Sequence, residues 1–252
     1  MVTVCLWHWN RRYSTKHIEA MRGMLARHLH LDHRIVCITD RPEDVPSGIG
    51  VLDVKHTILK YDSKCLRRMW LYAGKLPKGK PSPCDLGDRL LQLDLDMVLT
   101  ADITPLVDRP EPFVILKGES TRQPYRPHGW AYNATVMLLT AGARSDVYDA
   151  YAADQKGVIR AANAAGWDVT TNSDQGVATY LLAKGDPPAF WTTDDGIYSY
   201  RGIAGPDGGK GHLGLPANCR IVSFHGRSGN RHPGDPALQK CSPWILEHWK
   251  AA

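Results

Sequence analysis

The sequence predicts an α/β fold in one domain spanning residues 1–252, with a mostly parallel central sheet and helices on both faces. Two observations carry this. Short apolar runs of strand length recur from the first residues onward, and amphipathic stretches of helical period lie between them. A third agrees with both: composition does not shift between halves, and 252 residues suffice for one sizeable core.

Taken in order, Val2 to Trp7 reads as a buried strand, ended by His8, Asn10, Arg11 and Arg12. Ser14 or Thr15 then caps a helix with Ile18, Met21, Leu25 and Leu29 on one face. Ile35 to Thr39 forms the next strand, Asp40, Arg41 and Pro42 a loop, and Val51 to Val54 another strand. Ser63 opens a helix that aligns Leu66, Met69, Trp70 and Ala73, and residues 76–83 connect onward. In Leu91 to Asp96, leucines alternate with Gln92, Asp94 and Asp96, so a strand there puts both carboxylates on one face. Phe113 to Leu116, Tyr132 to Leu139 and Ile221 to Phe224 are further strands. Ser145 to Ala162 and Ser173 to Leu182 carry helical patterns, a glycine-crowded loop runs from Gly202 to Gly214, and Ser242 and Pro243 start a short last helix.

The composition, 43% hydrophobic and 23% charged, excludes a disordered chain, and no apolar run is long enough to span a bilayer. No secretory signal is evident. Six cysteines without a CxxC pair, several in strand-like runs, point to a reduced, cytoplasmic compartment. A net charge of +5 favours anionic ligands such as nucleotide diphosphates or nucleic acid, although a solvated basic surface explains it equally well.

Asp94-Leu95-Asp96 is the focus for chemistry. Paired carboxylates at the carboxyl end of a buried strand are where open α/β sheets place ligands and hard divalent cations, but the DxD spacing alone arises by chance in a chain of this length. His225, just past a strand, suits a metal shared with those acids, and equally a structural histidine. Ser173-Asp174 reads from spacing as a helix cap, and Asn133 as a polar strand residue.

Several segments in order resemble GT-A glycosyltransferases, a Rossmann-like class, and within them the small bacterial and phage members similar to glycosyltransferase family 8. They are Val2 to Trp7 with Arg12-Tyr13, Ile35 to Asp40, Ser63-Lys64, Leu93 to Asp96, Tyr132-Asn133, Ser173 to Gln175, and Val222 to Gly226. The resemblance implies that Asp94, Asp96 and His225 hold Mn²⁺ or Mg²⁺ bridging the phosphates of a UDP-sugar, with Thr3, Trp7, Trp9, Tyr13, Lys64 and Asn133 lining the donor. It places Asp174 and Gln175 at the transferring sugar and implies a retaining outcome. Asn133 is followed by Ala134-Thr135 rather than Ser-Gly, and His225-Gly226 by Arg227-Ser228-Gly229 rather than Lys and Pro; Arg227 or Arg231 could replace the missing lysine as a phosphate contact, and a solvated loop explains either equally well.

The acceptor is a saccharide by default, or a hydroxymethylated base in phage-type DNA, gripped through Arg122, Arg126 and His128. Two other classes stand beside this one. A haloacid-dehalogenase-like phosphatase would use Asp94 as nucleophile with Thr193-Asp194-Asp195 as its last motif. A noncatalytic nucleic-acid-binding protein would use Trp7, Trp9, Tyr13, Trp70, Tyr125 and Trp130 among basic residues.

Overall fold

The computed structural model describes residues 1–9, 12–54, 65–118, 131–167, 169, 174–203, 214–224 and 232–251. Its elements run β1 (Val2–His8), α1 (Thr15–His28), β2 (His33–Thr39), β3 (Gly50–Asp53), a 3-10 helix at Leu66–Tyr72, β4 (Arg89–Leu93), β5 (Met97–Leu99), α2 (Thr104–Val107), β6 (Phe113–Lys117) and β7 (Tyr132–Thr140). There follow α3 (Ser145–Ala153), α4 (Gln155–Ala164), α5 (Asp174–Leu182), β8 (Ala189–Trp191), β9 (Ile197–Ser199), α6 (Tyr200–Ile203), β10 (Ile221–Ser223), α7 (Pro236–Cys241) and α8 (Trp244–His248).

Seven strands form one sheet in the order β3-β2-β1-β4-β7-β6-β8. Only β7 runs against its neighbours, so four of the six pairings are parallel and two antiparallel. The expected α/β class with a mostly parallel sheet is what the chain forms. Both faces of β1 are covered, which is why it reads as a continuous apolar run. Val2, Val4 and Leu6 enter one core with Ile18, Met21 and Leu25 of α1, whereas Cys5 and Trp7 enter a second core with Met69 and Trp70. A three-stranded sheet, β5-β10-β9, joins α1 over the first face; α3, α4 and α5 lie over the second.

Three expectations need correction. The Leu-Asp alternation does not lie within one strand: β4 ends at Leu93, a bend carries Asp94 to Asp96, and β5 starts the smaller sheet. Leu91, Leu93 and Leu95 do share one core, so the sidedness outlasts the ladder. The helix aligning Leu66, Met69 and Trp70 is 3-10, with three residues per turn rather than 3.6. The single helix expected over Ser145 to Ala162 is two, parted at Asp154, whose carboxylate accepts from Gly157 N–H at 2.8 Å and caps α4. The three-residue strands β5, β8 and β9 were too short to show a period.

All six cysteines are free. Among the described residues, no helix is long and apolar enough to cross a membrane.

Candidate functional site

The strand order reverses at β1, which lies between β2 and β4, and at such a reversal the crossovers leave to opposite sides and open a crevice at the carboxyl ends. His8 and Leu93 end the two strands, so the described residues that follow each of them, 9, 12 and 13 on one side and 94–96 on the other, border that crevice. Because β7 is antiparallel to β4, its first residues, Tyr132 and Asn133, arrive at the same edge.

Arg68 organises the site. It is 8% exposed, and its Nη1 donates to Asp94 Oδ1 at 2.5 Å while Nη2 donates to Asp174 Oδ1 at 2.9 Å. Its Nε lies 2.8 Å from Asp174 Oδ2, an ion contact off the N–H direction. Gln92 Nε2 adds a donor to Asp94 Oδ1 at 3.1 Å. Burial costs Arg68 solvation, but the charges of Asp174 and Asp94 outweigh that cost and hold its guanidinium firmly charged. Asp94 is pushed up to about 7 by loss of water, opposed by Arg68 and reinforced by Asp96. Its side chain keeps 18% exposure, so one edge of the carboxylate still meets the crevice.

Asp96 faces the β1–α1 connection. Tyr13 donates its phenol proton to Asp96 Oδ2 at 2.6 Å, and Arg12 Nη2 lies 3.4 Å from the same oxygen. Burial raises both the Asp96 carboxyl and the Tyr13 phenol. The Tyr13 backbone is seated by His8, which is fully buried. With the ring neutral, His8 Nδ1 lies 3.3 Å from Thr39 Oγ1, which also accepts from Arg41 N–H at 2.9 Å, and its Nε2 lies 3.0 Å from both the Tyr13 carbonyl and Arg41 Nη2, which donates to that carbonyl at 3.2 Å. Burial favours that neutral imidazole.

A β-bulge between Ile115 and Leu116 shifts the β6–β7 register and turns the start of β7 toward α5. Asn133 Oδ1 there accepts from Thr135 N–H at 3.0 Å and from Gln175 Nε2 at 2.9 Å. Asp94 N–H in turn donates to Thr135 O at 3.1 Å. Asp94, Asp96, Tyr13, Asn133, Asp174 and Gln175 therefore come together from four separate stretches of chain. Asp174 opens α5, yet its carboxylate goes to Arg68, which decides against a purely capping role.

Two expected donor residues lie elsewhere. Thr3 sits at the amino end of β1, the far side of the sheet, where its hydroxyl donates to Leu86 O at 2.5 Å and accepts from Arg34 Nε at 3.1 Å. Trp7 is 4% exposed and packs edge-on against Trp70, centroids 6.3 Å apart, so its bulk serves the core. Trp9, half-buried, packs against Trp7 at the carboxyl end of β1 with ring centroids 4.8 Å apart and planes tilted by 50°. Lys64, His225, Arg122, Arg126, His128, Arg227 and Arg231 fall outside the described residues. Asp195, from the phosphatase motif, instead accepts from Thr192 N–H at 2.8 Å in a 3-10 turn.

Arg12, Arg68 and Gln92 were not expected. A signal for Arg68 exists: an arginine inside the apolar run Leu66 to Tyr72 must be buried with acids to match it. In 3-10 geometry residues three apart eclipse, which sets Arg68 on the side of Cys65, whose thiol burial and Asp174 push up.

The acids suit a hard cation in part. Among the described residues, the side-chain contacts above fall on Oδ1 of Asp94 and Oδ2 of Asp96, so the other oxygens could serve a cation that draws its remaining ligands from water and phosphate. Among the described residues no group of three or more His, Cys, Asp or Glu side chains is placed to hold a metal. A comparison with protein-family models finds none that matches this chain, and no curated protein matches it.

Proposed function

We propose that this chain is a GT-A-type glycosyltransferase that moves a sugar from a nucleotide-sugar, a UDP-sugar by the resemblance described above, to an acceptor hydroxyl. One observation carries the reading: the Asp94/Asp96 pair stands at the strand-order reversal, tied through buried Arg68 to Asp174 at the start of α5.

The transfer breaks the bond from the anomeric carbon to the terminal phosphate oxygen and forms one to the acceptor oxygen, whose proton passes to solvent. Asp94 and Asp96 would hold Mn²⁺ or Mg²⁺ through their remaining oxygens, and that ion supplies fixed positive charge for the departing diphosphate. Arg68 opposes the effect of burial on Asp94 and fixes Asp174 in orientation, so Asp174 would lend negative potential near the carbon where positive charge develops. Gln175, held by Asn133, supplies an amide to sugar hydroxyls. Tyr13 borders the same acids from the β1 side and would line the nucleotide base and ribose.

Thermal unfolding tests the reading. UDP with Mn²⁺, at a hundredfold excess over its dissociation constant, should raise Tm by about 5 °C or more. EDTA or Asp96→Ala should abolish the rise. Absence of a shift with any nucleotide in Mn²⁺ rejects a donor site here.

A further inference from the structure

We propose that Arg12 is an exchangeable cation of this site: it neutralises Asp96 while the donor is absent, and pairs with the phosphates of a nucleoside diphosphate once a divalent cation takes Asp96. The inference rests on the donor-site reading above and adds a residue that reading does not contain.

The two arginines of the cluster differ in kind. Arg68 is buried and makes three short contacts, so its position is fixed. The Arg12 side chain is 55% exposed and meets Asp96 through a single nitrogen at 3.4 Å, the long edge of a hydrogen bond and not the two-pronged grip guanidinium makes with carboxylate. Its guanidinium carbon lies 5.3 Å from the Tyr13 ring centroid, a stacking contact that survives a swing of the fork. Tyr13 already gives Asp96 Oδ2 a short hydrogen bond, so Asp96 keeps a donor when Arg12 leaves.

Charge makes the exchange necessary. With their carboxylates ionised, Asp94, Asp96 and Asp174 face Arg12 and Arg68, a net of one negative charge among the described side chains. A divalent cation added beside Asp96 reverses that sign and repels Arg12 at close range. A diphosphate restores the balance and offers oxygens that guanidinium binds in a fork. Arg12 also lies two residues before Ser14, the N-cap of α1, whose amino end carries the partial positive charge that favours phosphate. Metal and nucleotide thus bind cooperatively through Arg12, each removing an obstacle to the other.

Two titrations on wild type and Arg12→Ala test this: Mn²⁺ alone, followed by loss of the free-ion electron paramagnetic resonance signal, and UDP in saturating Mn²⁺, followed by calorimetry. Arg12→Ala should bind Mn²⁺ alone about tenfold more tightly and UDP about tenfold more weakly. Opposite signs are the signature, because a residue that merely shaped the loop would weaken both. Arg12→Lys should restore weak Mn²⁺ binding and only part of the UDP affinity. Mn²⁺ affinity unchanged or lowered in a folded Arg12→Ala protein, or unchanged UDP affinity, overturns the exchange and leaves the donor site standing. Binding of neither ligand by wild type and variant alike rejects the donor site itself.

Discussion

Arg68 shows how one side chain can commit a site. Two carboxylates close together would repel and take up protons, but an arginine between Asp94 and Asp174 makes their burial tolerable. Removing it should therefore harm the fold before it harms any chemistry. Arg68→Met leaves two partly desolvated acids without their cation, and we expect a loss of about 3–5 kcal/mol, read as a lower urea midpoint. Arg68→Lys keeps the charge without the fork and should recover only part of that loss. An unchanged midpoint in Arg68→Met would mean that the acids are neutral in the folded protein.

At the scale of elements, the site depends on places where regular structure stops. β4 breaks at Asp94, the segment over Leu66–Tyr72 tightens into a 3-10 helix, and β7 bulges near Asn133. Each break swings a polar side chain into the crevice that a continuous element would have sent elsewhere. The small sheet has a break of its own. Gly196 leads into β9 with φ +85°, and a Cβ there would collide with the Asn218 carbonyl, which is backbone and cannot rotate aside. Gly196→Ala should cost about 2 kcal/mol or more, from left-handed strain and the clash together. Chemical denaturation would show it, and a cost below half of that would mean the turn re-forms another way.

Across the whole molecule, a histidine pair ties the first helix to the last part of the chain. His17 Nε2 lies 3.1 Å from His232 Nδ1, while Ser14 N–H donates to His17 Nδ1 at 3.2 Å and Gly234 N–H to His232 Nδ1 at 3.1 Å. His17 Nε2–H is thus the donor and both rings are neutral. Burial, then the neighbouring His232, lowers His17 from 6.5 to about 4. The folded form therefore binds fewer protons than the unfolded chain between these values, so His17 contributes stability that is complete above pH 6.5 and is lost as pH falls toward 4. The loss amounts to about 3 kcal/mol. Asp94 and Asp96 shift upward and act oppositely in part of that window. The measurement is accordingly a difference: stability at pH 7.5 minus that at pH 4.5, in wild type against His17→Gln. The variant should lose less on acidification by about that amount, and an equal loss in both would show that His17 titrates normally.

What the sequence determined by itself was periodicity and the identity of its acids. Buried strands such as Val2–His8 are apolar on both sides, α1 repeats its apolar residues at helical spacing, and Asp94-Leu95-Asp96 stands out beside the leucines of β4, all properties of neighbouring residues. The tertiary structure alone decided which distant residues meet. It brought Arg68 to Asp94 and Asp174, 26 and 106 positions away, and Tyr13 to Asp96, 83 away. It also removed Thr3 to the far end of the sheet and Trp7 to the core. The physical reason is that a side chain's electrostatic partners are chosen by strand order and by irregular turns, and neither leaves a local period in the chain.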